Sequence, residues 1–151
     1  MNLKEKVSYT VALGLRELGY KGVGKDFYNK KGELQFNANE TNSDDFSEGC
    51  CISTTVAEGL SFLFLKYGML YAIDSRCEAI VYIDNLGADN KIKMRVVGKD
   101  PVHRDELCWD SMLNVARIKG SYYQTQEKIR DLKVESHKIK MSLLALCKHE
   151  H

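Results

Sequence analysis

Residues 115–146 have the sequence VARIKGSYYQTQEKIRDLKVESHKIKMSLLAL, which predicts one long amphipathic helix. Its side chains repeat at alternating spacings of three and four residues, the period of a coiled-coil seam. The seam positions are Val115, Ile118, Tyr122, Thr125, Ile129, Leu132, Ser136, Ile139, Leu143 and Leu146. All but Thr125 and Ser136 are apolar, so we expect a continuous helix from about Glu106 to Cys147.

A helix of this length is too long to be covered by a small domain. At about 1.5 Å per residue it would extend roughly 60 Å, about twice the diameter of such a domain. Its far end must therefore contact another molecule, and the simplest partner is a further copy of the same chain. We predict a homo-oligomer held by Ile118, Tyr122, Ile129, Leu132, Ile139, Leu143 and Leu146.

The residues that flank the seam do not select a parallel pair of helices. In such a pair Glu135 would attract Lys140, whereas Lys128 would repel Lys133. Gly120 also costs about 1 kcal/mol of helix propensity. A bundle, with helices from several copies or with a helix over 3–18 packed alongside, therefore fits better than a two-stranded coiled coil. The alternative is a break near Gly120 that yields an antiparallel pair.

The residues before the long helix predict a globular head of the α+β class. A Thr-x-x-Glu capping box at Thr55 and Glu58 marks one helix start, and Asp100 or Asp105 caps the helix that follows Pro101. Residues 37–49 are polar and predict a surface loop. Periodicity predicts a helix over 3–18, strands at 27–28 and 33–36, a central core helix over 54–67, and strands at 69–73, 77–84 and 91–97.

This order, α-β-β-α-β-β-β-α, describes one small antiparallel sheet with helices, an α+β fold. The chain has 151 residues, enough for one domain with a core and too few for two. We predict a head over residues 1–101 and an oligomerisation helix over 102–151, which together make one domain.

Charge and cysteine content suggest a cytoplasmic protein. Residues 112–151 hold eight Lys+Arg against four Asp+Glu, so a basic helix that binds nucleic acid is one alternative. The five cysteines are odd in number and scattered, as in a reducing compartment. The N-terminal residues lack a signal-peptide pattern, and no run of about eighteen apolar residues suggests a membrane span.

Three residues are candidates for catalysis. Cys51 precedes a predicted helix start, where the peptide dipoles would lower the pKa of a thiol. His103, the histidine closest in sequence to the predicted head, could serve as its base, and Glu58 could take part in acid–base chemistry. Because unreactive cysteines are far commoner than nucleophilic ones, we predict no catalytic residue. That the protein is an enzyme is the less favoured hypothesis.

Metal and phosphate patterns are incomplete. Gly19 to Lys25 matches the skeleton of a phosphate-binding loop, but Asp26 stands where a hydroxyl belongs. Cys147, His149 and His151 could bind a metal, but they are not spaced as in a structural zinc site. Glu40, Asp44, Asp45 and Glu48 are not spaced as in a calcium-binding loop. We predict no metal and no cofactor.

A ligand site is the main rival to a purely macromolecular role. Arginine guanidinium groups bind carboxylates and phosphates in a forked geometry, and aromatic rings stack on bases. An anionic small molecule or nucleotide bound between subunits would use Arg95, Arg104, Arg117, Trp109 and Lys25.

The leading functional prediction is a self-associating binding protein that regulates or inhibits a macromolecular partner without chemistry of its own. Its small size and lack of familiar motifs are typical of accessory proteins of mobile genetic elements. The alternatives are the anionic-ligand binder, which includes an enzyme, and the nucleic-acid binder.

Overall fold

The computed structural model describes residues 1–42, 46–84 and 91–149. The predicted turn at 85–90 and the middle of the predicted acidic loop, with Asp44 and Asp45, lie outside this range, as does His151. The chain forms two compact units, Met1–Arg117 and a second that begins at Ile118. Within the described ranges, no helix is both long and apolar enough to cross a membrane.

The first unit contains two small antiparallel sheets and three helical segments. The described elements are α1 (Tyr9–Glu17), β1 (Val23–Tyr28), β2 (Leu34–Asn42), β3 (Cys51–Ile52), α2 (Val56–Tyr67), β4 (Met69–Ile73), β5 (Glu78–Asp84), β6 (Lys91–Val97) and α3 (Pro101–His149). The α+β class and the long C-terminal helix are confirmed. The single predicted sheet is replaced by two, ordered β2-β1-β3 and β4-β5-β6.

The first sheet extends into stretches that the sequence predicted as loops. β1 begins at Val23, which pairs with Asn42 at the far end of β2. Five of the six residues from 37 to 42 are polar, which an edge strand such as β2 tolerates, and Asn39 and Glu40 are exposed. Their pairing depends on backbone hydrogen bonds, which leave no apolar alternation to detect. The two-residue β3 was missed because it is too short to show a period.

α1 starts later than predicted because the preceding residues are held in an extended conformation. The backbone N–H of Val7 donates to the carbonyl of Thr54 at 2.9 Å, and Lys6 forms an isolated bridge with Thr55. Ser8 then caps the helix, since its hydroxyl accepts from the backbone N–H of Val11. Val7 is nevertheless buried, although it precedes the helix.

The second sheet is a meander of the three strands predicted at 69–73, 77–84 and 91–97. β4 pairs with β5 from Met69↔Ile83 to Ile73↔Ala79, and β5 pairs with β6 along its whole length. Ala79, Val81 and Ile83 alternate toward the core and are almost fully buried. The opposite face of β5 is only half-buried.

One core joins the helices to the second sheet and to β3. α3 contributes a face of Cys108, Trp109, Met112, Leu113 and Ala116, all buried. Asp100 caps this helix, because its carboxylate accepts from the backbone N–H of His103 at 2.8 Å. Of the two predicted caps, Asp100 is therefore the correct one.

α2 has the predicted capping box but lies at the side of the core. Thr55 accepts from the backbone N–H of Glu58, and Gly68 ends the helix in the left-handed conformation at φ 67°. Leu63 is fully buried, whereas Leu65 is 82% exposed and Phe64 47%. The prediction of a central helix is wrong, because only one face of α2 is covered.

Candidate functional site

The second unit is a helix whose apolar seam is uncovered. α3 runs through Gly120 to His149 as a single α-helix, so no break near Gly120 separates two antiparallel segments. All seven predicted oligomerisation residues are exposed, from 39% at Ile129 to 69% at Ile118 and Leu132. Covering each of these side chains would contribute on the order of 1–2 kcal/mol.

The seam also contains two polar residues, Thr125 and Ser136. The first makes a hydrogen bond within the helix, and the second is exposed to water. The hydroxyl of Thr125 donates to the carbonyl of Ser121 at 2.9 Å, within the helix itself. Ser136 is exposed. These positions interrupt the apolar surface without leaving a buried polar group in need of a partner.

Apolar side chains outside the seam continue around the helix toward its C-terminal end. Val134 and Met141 occupy the heptad position farthest from the seam, and Leu144 lies beside it. All three are more than half exposed. In a two-stranded coiled coil this outer position faces water. Contact on both sides of the helix would be needed to cover them.

The charged residues that flank the seam are predominantly basic. Lys128, Lys133 and Lys140 are exposed there, and Glu135 is the one acidic residue among them. An antiparallel pair would bring lysine-bearing flanks together, just as a parallel pair would bring Lys128 near Lys133. Charge therefore favours neither the parallel nor the antiparallel two-stranded arrangement. In a bundle, the helices would lie farther apart, which would weaken the repulsion between the flanking lysines.

Arg104, one of the predicted ligand residues, is bound within the first unit. Its guanidinium donates to the carbonyl of Arg76 at 2.8 Å and to that of Ser75 at 3.2 Å. It also forms an ion pair with Asp105 at 2.9 Å. With 5% of its surface exposed, Arg104 holds the turn between β4 and β5 against α3.

The other predicted ligand residues do not converge on one place. Arg95 is exposed on β6 and pairs with Glu78, and Arg117 pairs with Glu17 at 3.6 Å. Trp109 is buried in the core. Lys25 is exposed in β1, a strand that leads to a hairpin and not to a helix. A phosphate-binding loop needs a helix start at that point, so residues 19–25 do not form one.

The thiol of Cys51 is not activated. Burial raises its pKa to about 11, although the nearby Arg16 acts in the opposite direction. The expected lowering by a helix start does not occur, because Cys51 lies in β3 and is 1% exposed. His103 is used elsewhere, since its Nδ1 accepts from the backbone N–H of Lys99 at 3.0 Å.

Glu58 belongs to a structural hydrogen-bond network. Its carboxylate accepts from the hydroxyl of Thr55 at 2.8 Å and from that of Tyr20 at 3.1 Å. Burial alone would raise the pKa of Glu58, but these hydrogen bonds outweigh it and hold the pKa below its ordinary value. The tyrosine hydroxyl also contacts Thr54 at 3.1 Å. This arrangement anchors the start of α2.

A cavity of about 530 Å³ lies between the N-terminal segment and α3. Glu5, Asp105, Glu106 and Asp110 line it together with one lysine, Lys6. An acidic cavity does not suit an anion. The predicted anionic ligand therefore draws no support from this cavity and stays a prediction.

Sequence reasoning missed an apolar groove of about 370 Å³ beside β4. Its lining residues are uncharged: Leu60, Ser61, Leu63, Phe64, Leu65, Met69, Leu70, Tyr71 and Met112. The available signal was the complete absence of charge from residues 67–73, in contrast to the three basic residues of β6.

Cys147 is exposed near the end of α3, and the described residues contain no cluster of three side chains able to hold a metal ion. Comparison of this chain with protein-family models, curated proteins and solved structures finds no match.

Proposed function

We propose that this protein works by binding, as a self-associating regulator or inhibitor of a macromolecular partner, with the seam of α3 as its assembly surface. One observation carries the proposal: from Ile118 to Leu146, α3 exposes an apolar stripe, interrupted only at Thr125 and Ser136, in a helix that buries almost nothing in its own unit. Exposed apolar surface of this extent marks an interaction site.

The assembly is a bundle of helices and not a two-stranded coiled coil. Two features support this geometry. Val134 and Met141 would stay in water in a two-stranded arrangement. The lysines that flank the seam would also repel each other there, and they can separate in a wider bundle.

Substitution of two seam residues tests the proposal. Ile129→Asp with Leu132→Asp places carboxylates inside the assembled seam, where charges without partners are costly. The matched control is Gln124→Asp with Ala145→Asp, which adds the same charges at exposed positions outside the seam and away from Leu144. Light scattering coupled to gel filtration measures the mass of each full-length variant.

The expected wild-type mass is a multiple of the 17.2 kDa chain. The seam variant should fall to a smaller assembly, and the control should keep the wild-type mass. A seam variant with the same mass as the wild type would contradict the proposal, because the seam would then carry no contact.

A further inference from the structure

The cavity of about 530 Å³ between the N-terminal segment and α3 has an apolar floor and an acidic rim. The floor is formed by buried side chains, those of Val7, Val11, Val56 and Trp109. The rim carries three exposed carboxylates, those of Glu5, Glu106 and Asp110. Ligand sites usually have volumes of about 300–1,000 Å³, so this cavity has the size of a binding site.

The three rim carboxylates have no partners of their own. Among the described residues, no ion pair or hydrogen bond reaches the side chains of Glu5, Glu106 and Asp110. In the same ranges they do not form a cluster that could hold one metal ion. The carboxylates therefore do not converge on one point, and they suit several cationic groups of one extended ligand better than a single ion.

The other charged groups beside the cavity are already engaged. Asp105, the fourth carboxylate, forms an ion pair with Arg104 at 2.9 Å. The N-terminal amine of Met1 lies 3.9 Å from Asp105 as well. Lys6 donates through Nζ to the carbonyl of Ser53 at 3.3 Å. None of these groups neutralises the rim, so its negative charge is available to an occupant.

The floor adds a hydrogen-bond donor that has no acceptor. Trp109 is 6% exposed, and its six-membered ring packs against Gly59 of α2, where an added Cβ would lie 3.0 Å from Cη2. Within the part of the chain that the structure describes, no hydrogen bond reaches the indole N–H. The N–H is not sealed from water, because Ser53 Oγ is the one fully enclosed polar side-chain atom there without a partner. The indole N–H therefore opens into the cavity that Trp109 lines.

We propose that this cavity binds a basic peptide segment of a partner protein. Lysine and arginine carry a charged head on a long apolar stem. The stem would lie on the apolar floor, and the head would reach Glu106 and Asp110, which are one helical turn apart on α3. A backbone carbonyl of the peptide would accept a hydrogen bond from the indole N–H of Trp109.

Two simpler occupants would leave part of the cavity unused. A metal ion would contact neither the apolar floor nor the indole N–H. A polyamine matches the floor and the rim, but its protonated nitrogens donate hydrogen bonds and cannot accept one. A peptide with basic side chains supplies the apolar stems, the cations and the acceptor together.

This inference goes beyond the proposed function, because the cavity shares no residue with the seam of α3. The seam variant Ile129→Asp with Leu132→Asp should therefore bind a basic peptide as the wild type does, and either proposal can fail without the other. Loss of peptide binding in the seam variant would place the site in the assembly and would overturn the assignment to the cavity.

The test measures binding of acetylated and amidated tetralysine to the full chain by isothermal titration calorimetry. Glu106→Gln with Asp110→Asn removes two rim carboxylates at exposed positions, so the fold should survive. The matched control, Glu127→Gln with Asp131→Asn, removes the same charges at the same spacing in α3, outside both the cavity and the seam. Kd should rise about tenfold for the rim variant and less than about twofold for the control, which loses only distant, screened attraction.

Spermine tells a peptide site from a polyamine site. It carries the same charge as tetralysine but has no backbone carbonyl, so it should bind about fivefold more weakly. Equal or tighter binding of spermine would overturn a peptide site. Absence of tetralysine binding to the wild type, or equal weakening in the rim variant and the control, would overturn the inference as well.

The indole N–H of Trp109 gives a second readout at the site itself. Trp109 is the single tryptophan, so its indole N–H produces one NMR signal. Tetralysine should move this signal downfield, as a hydrogen bond to a carbonyl does, and Glu106→Gln with Asp110→Asn should require about tenfold more peptide for half of the shift. A signal that stays in place while calorimetry detects binding would put the peptide elsewhere on the chain and would overturn the inference.

Discussion

Arg104 shows how one buried cation can fix the position of a whole turn. Its guanidinium spans the carbonyls of Ser75 and Arg76 and the carboxylate of Asp105. Asp105 in turn accepts from the hydroxyl of Tyr71 at 3.0 Å. Burial and this acidic neighbour raise the pKa of Tyr71 well above its ordinary value, so the tyrosine stays a neutral donor. The network connects β4 to α3.

We expect Arg104→Ala to destabilise the first unit by about 3 kcal/mol, because it leaves a partly buried carboxylate without its partner. The measurement is the free energy of unfolding in urea. Arg95→Ala provides the matched control, since its ion pair with Glu78 is exposed and the change should have no measurable effect. Equal losses for the two variants would contradict a structural role that is specific to Arg104.

The sequence could not distinguish these two arginines. Both lie near other charged residues, and both were predicted to bind an anion. Their difference arises from burial, which depends on how the turn after β4 packs on α3. The same factor affects the candidate thiol of Cys51: its local position suggested a lowered pKa, and burial in the folded chain raises the pKa instead.

The N-terminal cap of α2 was predicted correctly from the sequence. Thr55 accepts from the backbone N–H of Glu58, and its hydroxyl donates to the Glu58 carboxylate. We expect Thr55→Ala to lower the free energy of unfolding by about 1 kcal/mol. Thr10→Ala serves as control, because Thr10 is exposed in α1, where Ser8 already caps the helix, and should change stability by less than about 0.5 kcal/mol.

The two threonine variants should be compared by urea unfolding that is followed through Trp109, the single tryptophan, which is buried in the first unit. A Thr55→Ala effect no larger than that of Thr10→Ala would mean that packing alone holds the start of α2.

Elements with a strong local pattern were predicted well, and those fixed by pairing were not. The alternation in β5 and β6 and the seam of α3 are periodic, so their type and approximate bounds followed from side-chain spacing. The outer half of β2 and the whole of β3 form because β1 lies beside them.

At the scale of the whole molecule, the two units depend on different sources of stability. The first has a continuous core that includes Leu15, Leu63 and Met112, each at most 1% exposed. The second is a single helix whose apolar side chains are all exposed, and helices derive most of their stability from packing of an apolar face. In the proposed assembly, contact along the seam would therefore determine how stable the second unit is.

We expect two thermal transitions in the full chain. Circular dichroism should detect an early loss of helix whose midpoint rises with protein concentration, because dilution dissociates the seam. Trp109 fluorescence should stay constant through that step, since the core of the first unit is intact, and should change in a later one. Ile129→Asp with Leu132→Asp should remove the concentration dependence of the early step and leave the Trp109 transition in place. If the early midpoint of the wild type did not change with protein concentration, the helix would be stabilised within one chain. The exposed seam would then need a partner other than a further copy.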